Sequence, residues 1–288
     1  MKIGFIGLGS LGTPIAANLK ESGHELYIFN RTISKTAVLA GKGAIVSDSI
    51  AALAKQCDIV FTIVSDDAAL KEITEGDKGL VKNFKPGSTH VSMSTILPKT
   101  AEELAILHQK SNQHYLAAPV FGRPEAAIAK KLNFVISGNA AARKQIESLL
   151  KDAGALGVYD FGDTITAANT IKLCGNFLIA SALEAIGESA ALANQSGVDA
   201  VQMWSMFSQT LFNTPLYQNY SNIILQKKFE PAAFTAKLGL KDMNLVLQQA
   251  SSVNQKMPLA ELLKTNMQSL VTDGKENIDW SAVSLGNK

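Results

Sequence analysis

Up to Phe161 the chain alternates short apolar runs with longer stretches whose apolar residues recur at helical spacing. The short runs predict strands at Lys2–Ile6, Glu25–Phe29, Ala44–Val46, Asp58–Val64, Thr89–Met93, Tyr115–Ala118, Asn133–Ser137 and Val158–Phe161. Between them, helices are predicted over Pro14–Ser22, Ser34–Ala40, Ile50–Lys55, Ala68–Ile73, Pro98–Lys110 and Ala140–Lys151. The run Ile59-Val60-Phe61-Thr62-Ile63-Val64 lacks the in-and-out alternation of a half-exposed strand. A strand covered by helices on both faces has that pattern. Such strand–helix alternation predicts an α/β domain built on a doubly wound, mostly parallel sheet.

After Gly162 the strand signals stop. One long helix is predicted from Thr164 to about Asn194, followed by helices at Ala200–Phe207, Tyr217–Lys227, Phe234–Asn254 and Pro258–Asp273. The sequence therefore divides into an α/β domain over 1–162 and an all-α domain over 163–288, with a long interdomain helix joining them. Composition narrows the function. The 288 residues are 47% hydrophobic and 18% charged, enough apolar material for a sizeable core. Basic and acidic residues, 27 against 25, nearly cancel, so no nucleic-acid partner is expected. No uninterrupted apolar run reaches the ~18 residues of a membrane span, and no membrane partner is expected. Glycines at 4, 7, 9 and 12 break the apolar N-terminus, which reads as a strand rather than a signal peptide. Two cysteines without metal or disulfide spacing suit a reducing, cytoplasmic setting.

The first strand runs directly into Gly7-Leu8-Gly9-Ser10-Leu11-Gly12, a G-x-G-x-x-G segment at the mouth of a helix, with Thr13 placed to cap it and Pro14 suited to its first turn. In that context the first glycine makes the tight turn, the second admits a pyrophosphate to the backbone, and the third lets helix pack on strand. The sheet is accordingly predicted to be of Rossmann type, binding a dinucleotide. Its second strand ends in Asn30-Arg31-Thr32, with Lys35 nearby, where an NAD enzyme usually supplies a carboxylate to the ribose. A guanidinium there suits a 2′-phosphate, so the expected cofactor is NADP(H).

Lys172 is the one charged residue between 164 and 183. Its apolar neighbours in every direction predict a helix buried all round, so Lys172 is expected to be a working group. Asn169 and Asn176, three back and four on, share its face, and Gly175 leaves room for a ligand. Beside a nicotinamide, an ammonium bonded to a carbonyl oxygen can stabilise growing negative charge and deliver the proton. Cys174, on another face, is expected in the core. His24, His90, His108 and His114 lack metal-ligand spacing, so no metal is expected. Asp66-Asp67 is placed to cap the helix after the fourth strand.

Gly7-Leu8-Gly9-x-x-Gly12 with Ala17-Asn18-Leu19, the Asn30-Arg31-Thr32 turn, and Ser94-Thr95 together resemble the β-hydroxyacid dehydrogenases. Ala118-Pro119-Val120 before Gly122, Lys172-x-x-x-Asn176, Phe234 with Lys241-Asp242, and Asp279-Trp280-Ser281-Ala282 extend the likeness along the whole chain. That family includes 3-hydroxyisobutyrate dehydrogenase, whose cofactor domain is of the 6-phosphogluconate dehydrogenase type. The NADPH-dependent glyoxylate and succinic semialdehyde reductases form the branch it resembles more. The resemblance implies Lys172 as catalytic residue assisted by Asn176, Val64 and Ser65 lining the cofactor, and Thr95 and Lys241 near nicotinamide and substrate. It also implies substrate contacts from Asn169, Phe234 and Asp242, and a homodimer or homotetramer formed through the helical domain.

The departures fall on the substrate. The family pattern Pro-Val-Ser-Gly-Gly is replaced by Pro119-Val120-Phe121-Gly122-Arg123, so the serine that contacts a substrate carboxylate is absent. Either Arg123 takes over that charge, or the substrate lacks a carboxylate there. Lys130 stands where a glycine is usual, and Ala167-Ala168-Asn169 replaces a Gly-x-Gly run. The expected activity is hydride transfer between NADPH and the carbonyl of a small aldehyde or 2-oxo acid. An imine reductase-like enzyme and a non-catalytic NADP-binding module are the alternatives; retention of Lys172 argues against the first, and of the Asn169–Lys172–Asn176 face against the second.

Overall fold

The computed structural model describes residues 1–286. It divides into two compact units, Met1–Lys172 and Leu173–Lys288. The division falls ten residues beyond the boundary read from the sequence, because the first turn of the long helix packs with the sheet unit. There Ala168 joins an apolar cluster with Leu70, Ile96 and Tyr115. The Ser137 hydroxyl donates to the Ile165 carbonyl and accepts from the Ala168 N–H.

The first unit runs β1 (Lys2–Ile6), α1 (Gly12–Glu21), β2 (Glu25–Phe29), α2 (Ala37–Gly41), β3 (Ile45–Val46), α3 (Ile50–Gln56), β4 (Ile59–Thr62), α4 (Asp67–Thr74), α5 (Leu80–Asn83) and β5 (Thr89–Ser92). It continues through α6 (Pro98–Lys110), β6 (His114–Ala117), β7 (Val120–Phe121), α7 (Pro124–Ile128), β8 (Leu132–Gly138), α8 (Ala140–Asp152) and β9 (Ala155–Asp160). The strands lie in the order β3-β2-β1-β4-β5-β6-β8-β7, with β9 on β8. Pairings from β3 across to β6 are parallel, while β8 runs antiparallel to β6 and β7. Three short elements, α5, β7 and α7, fall in stretches too brief to show a period in the sequence. The predicted helix over Ser34–Ala40 is a 3-10 turn, Ile33–Thr36, running into α2.

The unbroken apolar character of β4 has the expected cause. Ile59 and Phe61 enter the core on one face of the sheet, and Val60 enters the core on the other. The strand order reverses between β1 and β4, and the carboxyl ends at such a switch point form a crevice in open α/β sheets.

The second unit is helical. The long helix α9 (Ala167–Gln195) begins in the first unit and continues into the second, followed by α10 (Ala200–Phe207), α11 (Pro215–Leu225), α12 (Ala236–Ser252) and α13 (Pro258–Thr272). By length and hydropathy alone α9 would pass for a membrane span. It nevertheless buries Glu184, which accepts a hydrogen bond from Asn266 on α13. The Asp-Trp-Ser-Ala segment near the chain end closes this unit. Trp280 packs edge-on against Phe234 at 4.8 Å and donates to the Tyr220 hydroxyl. Asp279 accepts from the N–H and hydroxyl of Ser281.

Candidate active site

The glycine segment lies at the carboxyl end of β1, inside the switch-point crevice. Gly7 has φ +100°, and a Cβ there would collide with the Ile63 carbonyl just past β4. A Cβ on Gly12 would meet the Gly7 carbonyl and stand 2.7 Å from the Ile63 side chain. Glycine is required at both positions to let α1 begin against two strand ends. Gly9 differs, since nothing lies within 4 Å of where its Cβ would be. Its backbone is open to a ligand. Thr13 is not the cap expected from the sequence: α1 starts at Gly12 after Leu11, and no side chain caps it. The early start follows from the absence of a Cβ at Gly12, and with no side-chain cap the positive end of the helix is left to an anion. The segment fits a dinucleotide pyrophosphate.

Asn30 braces this loop. Its side-chain oxygen accepts from the Leu8 N–H at 2.8 Å, and its nitrogen donates to the Thr32 carbonyl. Arg31, Thr32 and Lys35 are exposed beyond it. On the other side of the crevice, the Val64 N–H donates to the Ser94 hydroxyl at 2.8 Å, the Ser65 hydroxyl donates to Asp66, and Asp66 caps α4 through the Ala69 N–H. Thr95 follows Ser94 and is partly exposed. Ser94 and Asn18 escaped the sequence reading as working residues. The buried Asn18 amide on α1 donates to the carbonyls of Ala127 and Ala153, tying the cofactor helix to α7 and to the turn before β9. An asparagine at an apolar-face position of α1 was the available signal.

Lys172 lies in the second turn of α9 and is half-buried. Its ammonium stands 4.1 Å from the centroid of the Phe121 ring, within cation–π range. Asn169 and Asn176 are buried, and by helix spacing they share its face of α9. The expectation that this stretch is buried all round does not hold. Cys174 is exposed rather than in the core, and Leu178 is 64% exposed. The apolar residues of a long helix need not all find partners within one chain.

In the helical unit, the Asn176 side-chain nitrogen donates to the fully buried carboxylate of Asp242, and the Lys241 ammonium lies 2.7 Å from the other oxygen of that group. Asn176, Lys241 and Asp242 thus form one cluster, in which the Asn176 amide serves Asp242. Phe234 precedes α12 and is held against Trp280. Arg123 takes the position before α7, where Gly122 turns sharply at φ +145°, and its Nε lies 3.7 Å from Glu125.

Among the described residues no group of three or more potential metal ligands occurs. His90 and His108 are buried and linked in series: Thr62 Oγ1 to His90 Nε2, His90 Nδ1 to His108 Nε2, and His108 Nδ1 to Gln113 Oε1. Because Gln113 spends its N–H groups on the carbonyls of Val81 and Phe84, its oxygen must accept, so His108 donates through Nδ1 and His90 likewise. Burial holds His108 down to about 4 and His90 well below its ordinary value.

Comparison with known proteins agrees with this geometry. A family described as the NAD binding domain of 6-phosphogluconate dehydrogenase matches residues 2–169, and one described as NAD-binding of NADP-dependent 3-hydroxyisobutyrate dehydrogenase matches 166–284. The chain is 41% identical over 283 residues to YfjR, an uncharacterized oxidoreductase of Bacillus subtilis, with 98% of each chain covered. It is 28% identical to the 2-hydroxy-3-oxopropionate reductase of Escherichia coli, over 98% of this chain and 96% of that one. A solved 3-hydroxyisobutyrate dehydrogenase from Salmonella typhimurium matches with a TM-score of 0.88 at 26% identity, covering 99% of both chains.

Proposed function

The chain belongs to the β-hydroxyacid dehydrogenase family of NAD(P)-dependent oxidoreductases, and from that premise we propose that it is an NADPH-dependent reductase of small aldehydes or 2-oxo acids with Lys172 as proton donor. The observation that carries this reading is the half-buried Lys172 ammonium, held on the Phe121 ring and sharing a helix face with two buried asparagines. A group so placed can hydrogen-bond a carbonyl oxygen, stabilise its growing charge and give up a proton as the alcohol forms. Bound NADPH would supply the hydride to the carbonyl carbon.

The chain's own residues divide the remaining work. The Gly7–Gly12 segment would hold the pyrophosphate on the α1 terminus, with Val64, Ser65 and Thr95 on the facing wall of the crevice. The Asn30 oxygen is engaged by the Leu8 N–H, which supports a 2′-phosphate held by Arg31 and Thr32 over a free ribose hydroxyl held by an acceptor. The family resemblance assigns substrate contacts to Asn169 of the first unit and to Phe234 and Asp242 of the second, where Asn176, Asp242 and Lys241 form one fixed polar cluster. The exposed Leu178, Leu192 and Leu211 of the helical unit support an assembly formed through that unit.

The test is NADPH consumption with glyoxylate, succinic semialdehyde, butyraldehyde and a cyclic imine in parallel. At least one carbonyl is expected to be reduced faster than the imine. Lys172→Ala should leave NADPH affinity nearly unchanged and lower kcat by ~10²–10⁴, the usual contribution of a positioned acid. Lys172→Arg should rescue little, because a guanidinium does not surrender its proton near neutral pH. A Lys172→Ala enzyme at the wild-type rate would refute the assignment, and imine turnover alone would move the chain to the imine reductase reading.

A further inference from the structure

Ser137 lies on β8 and is fully buried, with its hydroxyl set between two backbone groups at the start of α9. It donates to the Ile165 carbonyl at 2.9 Å and accepts from the Ala168 N–H at 3.0 Å. We infer that Ser137 is a positioning residue for Lys172, fixing the first turn of α9 to the sheet and so holding the ammonium where its proton is delivered. The inference rests on the reductase reading above, which makes Lys172 the proton donor.

The origin of the bond to Ala168 carries the argument. A cap from a residue beside a helix satisfies the first N–H groups but leaves the helix free to move as a body. Here the acceptor comes from a sheet strand, 31 residues earlier in the chain. The Ala168 N–H is therefore tied to the sheet itself. Lys172 follows four residues on, ~6 Å further along the helix and on the same face. The approach to α9 is gripped from the same side: the Gly138 N–H donates to the Gly162 carbonyl at 3.0 Å, and Arg143 on α8 donates to the Gly138 carbonyl, Asp160 and Asp163. Of this group, Ser137 is the one that reaches into the helix.

The same strand sets the other side of the ammonium's contact. β8 pairs with β7, Asn133 lies opposite Phe121, and the Lys172 ammonium stands 4.1 Å from the centroid of that ring. Ring and helix turn are thus both referenced to β8, at residues 133 and 137. Loss of the hydroxyl would leave the ring in place and release the turn that leads to the ammonium. Volume does not explain the serine. Val135 on the same strand and Ala168 belong to one apolar cluster, where an alanine would pack without bringing a polar atom inside. The hydroxyl is used for its two bonds. Proton transfer is sensitive to such a release, because a misplacement of ~1 Å can cost on the order of 10² in rate.

The experiment is a double-mutant cycle between positions 137 and 172, read with NADPH and the best carbonyl substrate. Ser137→Ala should lower kcat about ten-fold and leave the Kd of NADPH within about two-fold of wild type. In the Lys172→Ala background the same change should cost less than about two-fold, because the group it positions is gone. A second readout needs no turnover: acetylation of Lys172 by limiting acetic anhydride, measured by peptide mass spectrometry against the exposed Lys151. Ser137→Ala should raise the ratio of Lys172 to Lys151 labelling by about three-fold or more as the ammonium leaves the ring. Equal losses of kcat with and without Lys172, or an unchanged labelling ratio, would overturn the inference. Should Ser137→Ala fail to fold, Ser137→Cys, a poorer hydrogen-bond partner, takes its place in both readouts. If wild type reduced no carbonyl, the reductase reading would fall by itself. The labelling ratio would then decide alone, upholding the hold of Ser137 on Lys172 if it rises and refuting it otherwise.

Discussion

Acidification should destabilise the sheet unit through its buried histidine pair, and the size of the effect can be worked from the structure. The chain Thr62–His90–His108–Gln113 has one consistent direction of donation, with each histidine neutral. A proton added to His108 Nε2 would face the His90 Nδ1–H, and no carboxylate belongs to the chain to take up the charge. His108 therefore holds a folded pKa of about 4 against ~6.5 in the unfolded chain. A folded value below the unfolded one means that the unfolded state takes up the proton first, so stability is lost as pH falls below ~6.5 and levels off below 4. His108 alone then removes ~2 kcal/mol between pH 7 and pH 5, and about 3 kcal/mol by pH 4. His90, shifted in the same direction, adds to the loss. In a unit of this size, 2 kcal/mol corresponds to about 4–8 °C in Tm. The assay is urea unfolding at pH 7 and pH 5 followed by circular dichroism, because both tryptophans, Trp204 and Trp280, lie in the helical unit and do not report on the sheet. His108→Gln should flatten the pH slope whatever it does to the baseline stability. Equal wild-type stability at the two pH values, or an unchanged slope in the variant, would refute the reasoning.

Three further outcomes are expected. Gly9→Ala should unfold like wild type without cofactor, since nothing lies within 4 Å of the new Cβ, yet bind NADPH about ten-fold more weakly or worse because the methyl group stands on the open backbone; Gly12→Ala should lose stability as well, and calorimetric titration beside thermal melts separates the two. Lys130 adopts φ 55° directly after α7, a left-handed conformation that costs a side chain energy. Lys130→Gly should therefore stabilise the protein by about 0.5–1 kcal/mol in urea unfolding, and a lower midpoint would contradict this. Arg31→Ala should weaken NADPH by about ten-fold and leave NADH nearly untouched in fluorescence titrations; equal losses would remove the 2′-phosphate argument.

Much of this protein is local in origin and could be read from the chain. The strand–helix rhythm, the apolar run of β4, the glycines at 7, 9 and 12 and the isolated Lys172 all express spacing within a few turns or one strand. Such spacing reflects backbone sterics and the need to bury one face or two. The short elements β7 and α7 lay below that resolution, because two to five residues display no period.

Polar partnerships were decided only by the tertiary structure. Asn30 stands in the expected cofactor turn, yet its oxygen goes to Leu8, 22 residues earlier in the chain. Asn176 shares a helix face with Lys172, yet its nitrogen goes to Asp242, 66 residues away. Phe121 was legible as a departure from a family pattern, but not as the ring beneath Lys172. A histidine or amide satisfies its hydrogen bonds with whichever group the fold brings within about 3 Å, and sequence distance places no limit on that choice. Apolar patterning therefore determined the architecture from the sequence, while the commitments of individual donors, acceptors and ring faces awaited the folded chain.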